Sequence, residues 1–249
     1  MVYLGIDAGF SLKARSAGVC VIDLSHGISV EASHVRPSET MFEIRRMLRG
    51  RIPTAIGIDG ALVRKDASAA NFHYRPGYRE CERLLSGGIL QSRCKPGSSN
   101  SPRGKKLHAA ATTIANILSE EFTSVRIVEA FPNAFLGVLL PDSAFGKKIL
   151  RRKKSDVFWD WTLRRSELMR LVLEDLFPKQ SGPLHCLAER LTNHDERAAF
   201  ICAVTSRGAE LRKAVSVGNV EGSILLPPRK FISMWAAGHL ESKGVRVFS

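Results

Sequence analysis

Short apolar runs that end on an acid punctuate this chain. Residues 2–7, Val-Tyr-Leu-Gly-Ile-Asp, set strand formers at Val2, Leu4 and Ile6, with Tyr3 and Gly5 between them, and predict a β-strand closing on Asp7. Gly9 then permits a sharp turn. The pattern returns at residues 55–60, Ala-Ile-Gly-Ile-Asp-Gly, with Asp59 at the strand end. It returns again at residues 125–128, which close on Glu129-Ala130-Phe131, with Pro132 stopping the strand. Between the first two runs, residues 17–24 and 28–35 read as strands joined by a Ser25-His26-Gly27 hairpin turn, which gives an antiparallel three-strand meander. Residues 38–49 carry Met41, Phe42, Ile44, Met47 and Leu48 at helical spacing, with Ser38 as the expected cap and Glu39 in the first turn. A strand–helix–strand order places the second acid-bearing strand parallel to the first.

The pattern is less regular from residue 61 to 106, where Arg64, Arg75, Arg79, Arg83 and Arg93 fall among tyrosines and residues 95–106 read as a basic loop. Residues 107–122 predict an alanine-rich helix, and 156–177 one long helix whose aromatics, Phe158, Trp159 and Trp161, are expected in the core. Residues 178–183 read as a linker. Residues 193–214 read as a helix opening on His194-Asp195-Glu196-Arg197, whose small residues suit close packing on a sheet; the acids also suit a helix N-terminus electrostatically. The expected architecture is one α/β domain over residues 1–249: a mixed sheet, meander plus parallel strands, flanked by helices. A basic insertion is expected at about 61–106 and a helical one at about 140–192.

Two strands that each deliver an aspartate at the C-terminal end invite a chemical explanation, because a carboxylate at a buried strand end is costly without a cation or donors. Asp7 and Asp59, side by side in one sheet, are expected to form the floor of a divalent-metal site. The chain carries 37 Lys and Arg against 24 Asp and Glu, a net charge of +13, which favours a polyanionic partner, nucleic acid first. Its 44% hydrophobic and 24% charged content is ordinary for a soluble protein, no apolar run reaches membrane-helix length, and no leader-like segment precedes the first strand, so a cytoplasmic protein without membrane contact is expected. The five cysteines are widely spaced without a CxxC pair, arguing against a disulfide framework or zinc knuckle; Cys20 and Cys202 lie in apolar runs and are expected in the core.

Strand–Asp–x–Gly, a meander, a helix, a strand ending in Asp and a late helix opening with Asp resemble the ribonuclease H-like fold. More narrowly, several stretches together resemble the domain-of-unknown-function family four-two-nine, described as predicted nucleases of that fold. They are Ile6-Asp7, Ile58-Asp59-Gly60, Arg79-x-Cys81-x-Arg83, Glu129-Ala130-Phe131-Pro132, the stretch from His194 to Thr205, and Glu221-Gly222-Ser223-Ile224-x-x-Pro227. The resemblance implies phosphodiester hydrolysis with Mg²⁺ or Mn²⁺. Related nucleases hold two ions with acids on the first strand, the fourth strand and the last helix, positions filled here by Asp7, Asp59 and Asp195. Glu129 is a further candidate acid and Glu196 a nearby reserve. Resolvase-like helices often carry a second Asp one turn on, where this chain has Ala198.

Mg²⁺ prefers oxygen ligands, and two ions about 3.5–4 Å apart activate a water and stabilise a leaving oxygen. The basic flanks, Lys105 and Lys106 in one stretch and Lys147, Lys148, Arg151, Arg152, Lys153 and Lys154 in another, are expected to hold the nucleic-acid backbone. Arg79 and Arg83 are candidates for the scissile phosphate, the alternative being ion pairs with Glu80 or Glu82 on a helix face. Two rival functions remain. A non-catalytic nucleic-acid-binding domain fits the charge equally well. Asp7-Ala8-Gly9-Phe10-Ser11 also fits D-x-G-x-[ST], the first phosphate loop of sugar and acetate kinases, although no second glycine-rich phosphate loop or adenosine motif accompanies it.

Overall fold

Period-two alternation gives each central strand two distinct faces, and both are covered. The computed structural model describes residues 1–9, 11, 14–62, 79–94, 98–145, 154–219 and 222–247. β1 (Val2–Asp7), β2 (Ala17–Asp23) and β3 (Ser29–Val35) form the expected antiparallel meander, and β4 (Ala55–Asp59) runs parallel to β1 on its other side. The sheet continues through β5 (Arg126–Ala130), parallel to β4, to the antiparallel pair β6 (Ala214–Asn219) and β7 (Gly222–Pro228). The strand order is β3-β2-β1-β4-β5-β7-β6. The chain is therefore α/β with a mixed seven-stranded sheet flanked by helices.

On one face Val2, Leu4, Ile6, Val19, Val21, Ile56 and Ile58 pack under α1 (Thr40–Leu48) and α4 (Pro102–Glu121). On the other, Tyr3, Cys20, Ile22 and Ala55 meet α9 (His194–Glu210). This helix is buried without a break from Ala198 to Ser206, because a second layer covers it. That layer is built from α5 (Pro132–Leu139), α6 (Lys154–Asp160), α7 (Leu168–Leu176) and α8 (Ser181–Glu189). A helix apolar on all sides belongs in an interior. A separate core joins α2 (Glu80–Ser86), α3 (Ile89–Arg93) and α10 (Met234–Glu241) to β6 and β7.

The depth at which α9 sits is set by glycines. Gly18, Gly5 and Gly57 lie on three neighbouring strands, and a Cβ on any of them would overlap the α9 backbone. The atoms struck are the carbonyl oxygen of Asp195 at Gly18, the Ala199 carbonyl and Ala203 amide at Gly5, and the Cys202 carbonyl at Gly57. Backbone cannot move aside as a flexible side chain does. Gly5→Ala is therefore expected to destabilise the protein by about 3 kcal/mol, the upper part of the range for overpacking, read as a lower urea midpoint at unchanged slope. Wild-type stability in Gly5→Ala would show that α9 is not seated on the strand.

Several expectations change. Ser38 lies inside a 3-10 turn, Pro37–Glu39, and α1 starts later with Glu39 at its cap position. The basic loop at 95–106 is helical from Pro102, because Ser101 Oγ accepts the Gly104 amide and Pro102 fits a first helical turn. Pro132 stops β5 but also opens α5, for the same reason. The single helix over 156–177 breaks: α6 gives way to a π-helical stretch, Trp161–Arg165, and an extended Ser166 whose hydroxyl bonds back to the Trp161 carbonyl before α7 begins. The linker at 178–183 is largely the first turn of α8, where Pro183 lacks only an amide that needs no partner. Phe158 and Trp159 are buried as expected, as are Cys20 and Cys202.

Candidate functional site

The register of four strands builds one row. Asp59 on β4 pairs with Asp7 on β1, Asp7 with Gly18 on β2, and Gly18 with His34 on β3. Paired residues share a face, so Asp59, Asp7 and His34 all turn toward α9 across the bare position at Gly18. The backbone of Asp195, in the first turn of α9, fills that bare position. The glycine that admits the helix thus delivers the third aspartate to the other two.

Asp7 is the centre of the group. It is 9% exposed, and Gly9, in a left-handed turn at φ 63°, directs its amide back to Asp7 Oδ1 at 3.4 Å. Burial pushes the Asp7 carboxyl well above the usual range, and the charges of Asp59 and Asp195 push it further. Burial, with Glu129 adding, raises Asp59 to about 7. Asp59 Oδ1 is buried with no hydrogen-bond partner among the described residues. Asn193 caps α9: its Oδ1 accepts the Asp195 amide at 2.8 Å, and its Nδ2 donates to His34 Nδ1 at 3.1 Å. His34 Nε2 stands 2.9 Å from Asp195 Oδ2, off the axis of a well-formed hydrogen bond.

Three carboxylates, one of them with a buried oxygen that receives no donor, form an oxygen set suited to a hard divalent cation, and the positive end of α9 favours the charged form of Asp195. Among the described residues no three acidic, histidine or cysteine side chains already stand at metal-ligand positions. Carboxylates without a cation between them repel, and at Asp7 this adds to the effect of burial.

These values set a pH dependence for metal-free protein. An unfolded aspartate releases its proton near 3.8, whereas folded Asp59 holds it to about 7. Between those values the folded state carries the extra proton, so stability falls as pH rises, by up to ~1.4 kcal/mol per pH unit for each proton retained. Chelator-treated protein is expected to lose urea resistance from about pH 4 to 7, and Asp59→Asn to flatten that loss. A midpoint that climbs across the window would mean that donors, not burial and like charge, govern Asp59.

The other expected acids are placed elsewhere. Glu129 pairs in register with Ile58, not Asp59, so it points to the opposite face of the sheet. There it takes two bonds from Arg79, at 2.9 and 2.5 Å, and the Leu62 amide at 3.0 Å. Burial still lifts its carboxyl above the ordinary value, with Arg79 offsetting part of the rise. Glu196 lies half-buried toward Cys20, whose thiol burial and this carboxylate push upward. Ala198 is buried where a second acid was looked for, and it lines a cavity of about 30 Å³ with Asp59, Asn133, Trp159, His194 and Arg197. That is room for about one water.

The expected cationic contacts also change. Arg79 is buried, bonded to Glu82 and Glu129, and has no free donor face for a phosphate. Arg83 is exposed and paired with Glu80. Lys105 and Lys106 are exposed on the first turns of α4. Nearby Arg103 lines a 280 Å³ cavity that reaches Asp59, Glu129 and His108. Lys154 opens α6, while Lys147, Lys148, Arg151, Arg152 and Lys153 lie outside the described residues. No described helix is long and apolar enough to cross a membrane. Sequence reasoning missed His34 and Asn193. Asn193 immediately before a helix was a cap signal in plain sight, but the placement of His34 follows only from strand register. No family model, curated protein or solved structure matches the chain, so the chemistry of this site is read from its own residues.

Proposed function

We propose that this chain is a metal-dependent nuclease that hydrolyses phosphodiester bonds at the site formed by Asp7, Asp59 and Asp195, on a ribonuclease H-like sheet. One observation carries the proposal: the β1–β4 register sets two carboxylates side by side, Asp7 buried and Asp59 half-buried, with a third brought over them by a helix N-terminus. Such an arrangement is costly for folding, and among the described residues no Lys or Arg is paired with Asp7 or Asp59.

Bound divalent cations would supply charge to activate a water and to stabilise a leaving oxygen. Asp7, which faces both other acids, Asp59, with its unpartnered Oδ1, and Asp195, steadied by the capped first turn of α9, would hold them. Glu129 stays outside this set, committed to Arg79 on the other face. Exposed Arg103, Lys105 and Lys106 on α4, with the cavity beneath them leading to Asp59, suit contacts to a nucleic-acid backbone.

The test is titration of Mn²⁺ into the protein, followed by incubation with single-stranded, duplex and branched DNA and RNA. Mn²⁺ binding and metal-dependent cleavage, both lost in Asp7→Asn, are expected. Nucleic-acid binding with neither metal binding nor cleavage would make this a binding domain instead.

A further inference from the structure

Asn193, His34 and Asp195 form a ring of contacts, two hydrogen bonds and one close approach of imidazole to carboxylate, and its polarity is fixed at one point. The Asp195 amide donates to Asn193 Oδ1 at 2.8 Å, so the Asn193 side chain cannot be turned over without losing the helix cap. Its Nδ2 therefore faces His34 Nδ1, at 3.1 Å. An amide nitrogen only donates, so His34 Nδ1 accepts and carries no proton. The neutral ring must then hold its proton on Nε2, 2.9 Å from Asp195 Oδ2. Nε2 is buried and, among the described residues, makes no well-aligned hydrogen bond, Asp195 Oδ2 being the oxygen it stands beside; the side chains of His34 and Asp195 are 25% and 19% exposed.

The chain of consequence runs from cap to ring to carboxylate. Resting on the metal-site reading above, we propose that His34 is a positioning residue for metal binding. Held by Asn193 as its Nε2–H tautomer, it keeps Nε2 beside one oxygen of Asp195, within ion-pair distance, and leaves the other for Asp7 and the cation. Ligating carboxylates and imidazoles are commonly oriented in this way by a neighbouring group, whose removal weakens metal binding ten- to hundredfold. His34 is the penultimate residue of the strand, in register with Gly18, and so reaches across the glycine to the helix above it.

Two measurements on the full-length protein test this. In the first, Mn²⁺ is titrated into wild type, His34→Ala and His34→Gln. His34→Ala is expected to bind ten- to hundredfold more weakly, and His34→Gln, whose amide N–H can replace the imidazole Nε2–H, to recover most of the affinity. In the second, nitrogen chemical shifts of the histidine rings in metal-free wild type are expected to show His34 neutral with its proton on Nε2. A merely structural role would leave Mn²⁺ affinity untouched in both variants. If wild type binds Mn²⁺ and both variants bind it equally well, the positioning role is wrong while the metal site stands. A proton found on Nδ1 also overturns it, with or without metal and even if His34→Ala fails to fold. If wild type binds no Mn²⁺, the metal site itself is wrong and this role goes with it.

Discussion

Asp7→Asn protein is expected to lose Mn²⁺ binding and metal-dependent cleavage together, and, stripped of metal, to melt at a higher temperature than wild type. The two effects have one cause. Asp7 is buried between Asp59 and Asp195, and its carboxyl is pushed up by burial and by both neighbours. Asparagine keeps the size of the side chain and an oxygen for the Gly9 amide, but it removes the charge. Relieving a buried charge that lacks a partner stabilises a fold by about 1–3 kcal/mol. Nucleic-acid affinity should stay level or rise, since a negative charge leaves the neighbourhood of the phosphate. Differential scanning calorimetry with and without chelator, beside a cleavage assay, reads all three. Lower thermal stability in the metal-free mutant would mean that Asp7 is held by donors and serves the fold. Cleavage at the wild-type rate would remove it from the active site.

The largest loss of stability is expected from Arg79→Met. Arg79 joins two buried carboxylates, donating through Nε to Glu82 and through both terminal nitrogens to Glu129, with side chains of 4%, 3% and 6% exposure. Glu82 also accepts the Arg79 amide and the amide and hydroxyl of Ser99. One guanidinium thereby ties the start of α2, the end of β5 and the turn before α4. Removing one partner of a buried ion pair leaves charge uncompensated and costs about 3–5 kcal/mol. Arg83→Met, on the same helix but exposed, should change stability by less than about 1 kcal/mol. Urea denaturation of the two variants makes the comparison. An Arg79→Met protein as stable as wild type but weakened in nucleic-acid binding would restore Arg79 to the phosphate site expected from sequence.

The contrast between Arg79 and Asp7 shows what the sequence exposes. Apolar runs closing on acids located β1, β4 and β5, and strand–helix–strand logic set β1 and β4 parallel, so the Asp7–Asp59 pair was legible in advance. Glu129 followed the same local pattern and belongs to the other face, because its register is one residue displaced from that of Asp59. Local pattern announces that a strand ends in an acid; it does not say which side the acid faces. Arg79 looked available because its partner Glu129 is fifty residues distant. His34 carried no local signal at all, since its role depends on the register of β3 and β2 and on the gap at Gly18. The helix α5 was hidden by Pro132, read as a stop although it occupies a first turn that needs no amide, and the first turn of α8 was hidden in a stretch read as a linker.

The seating of α9 has a consequence for biosynthesis. The three strands that carry the glycine channel, β1, β2 and β4, end by Asp59, yet the helix that fills the channel begins at His194. At roughly 5–20 residues per second a ribosome takes about 7–27 s to travel between them. Through that interval one face of the nascent sheet, with Tyr3, Cys20, Ile22 and Ala55, waits uncovered beside the emerging chain. The same delay keeps Asp195 away from Asp7 until α9 has been made. The cluster of three aspartates is thus assembled only after α9 emerges, by the step that also closes the core.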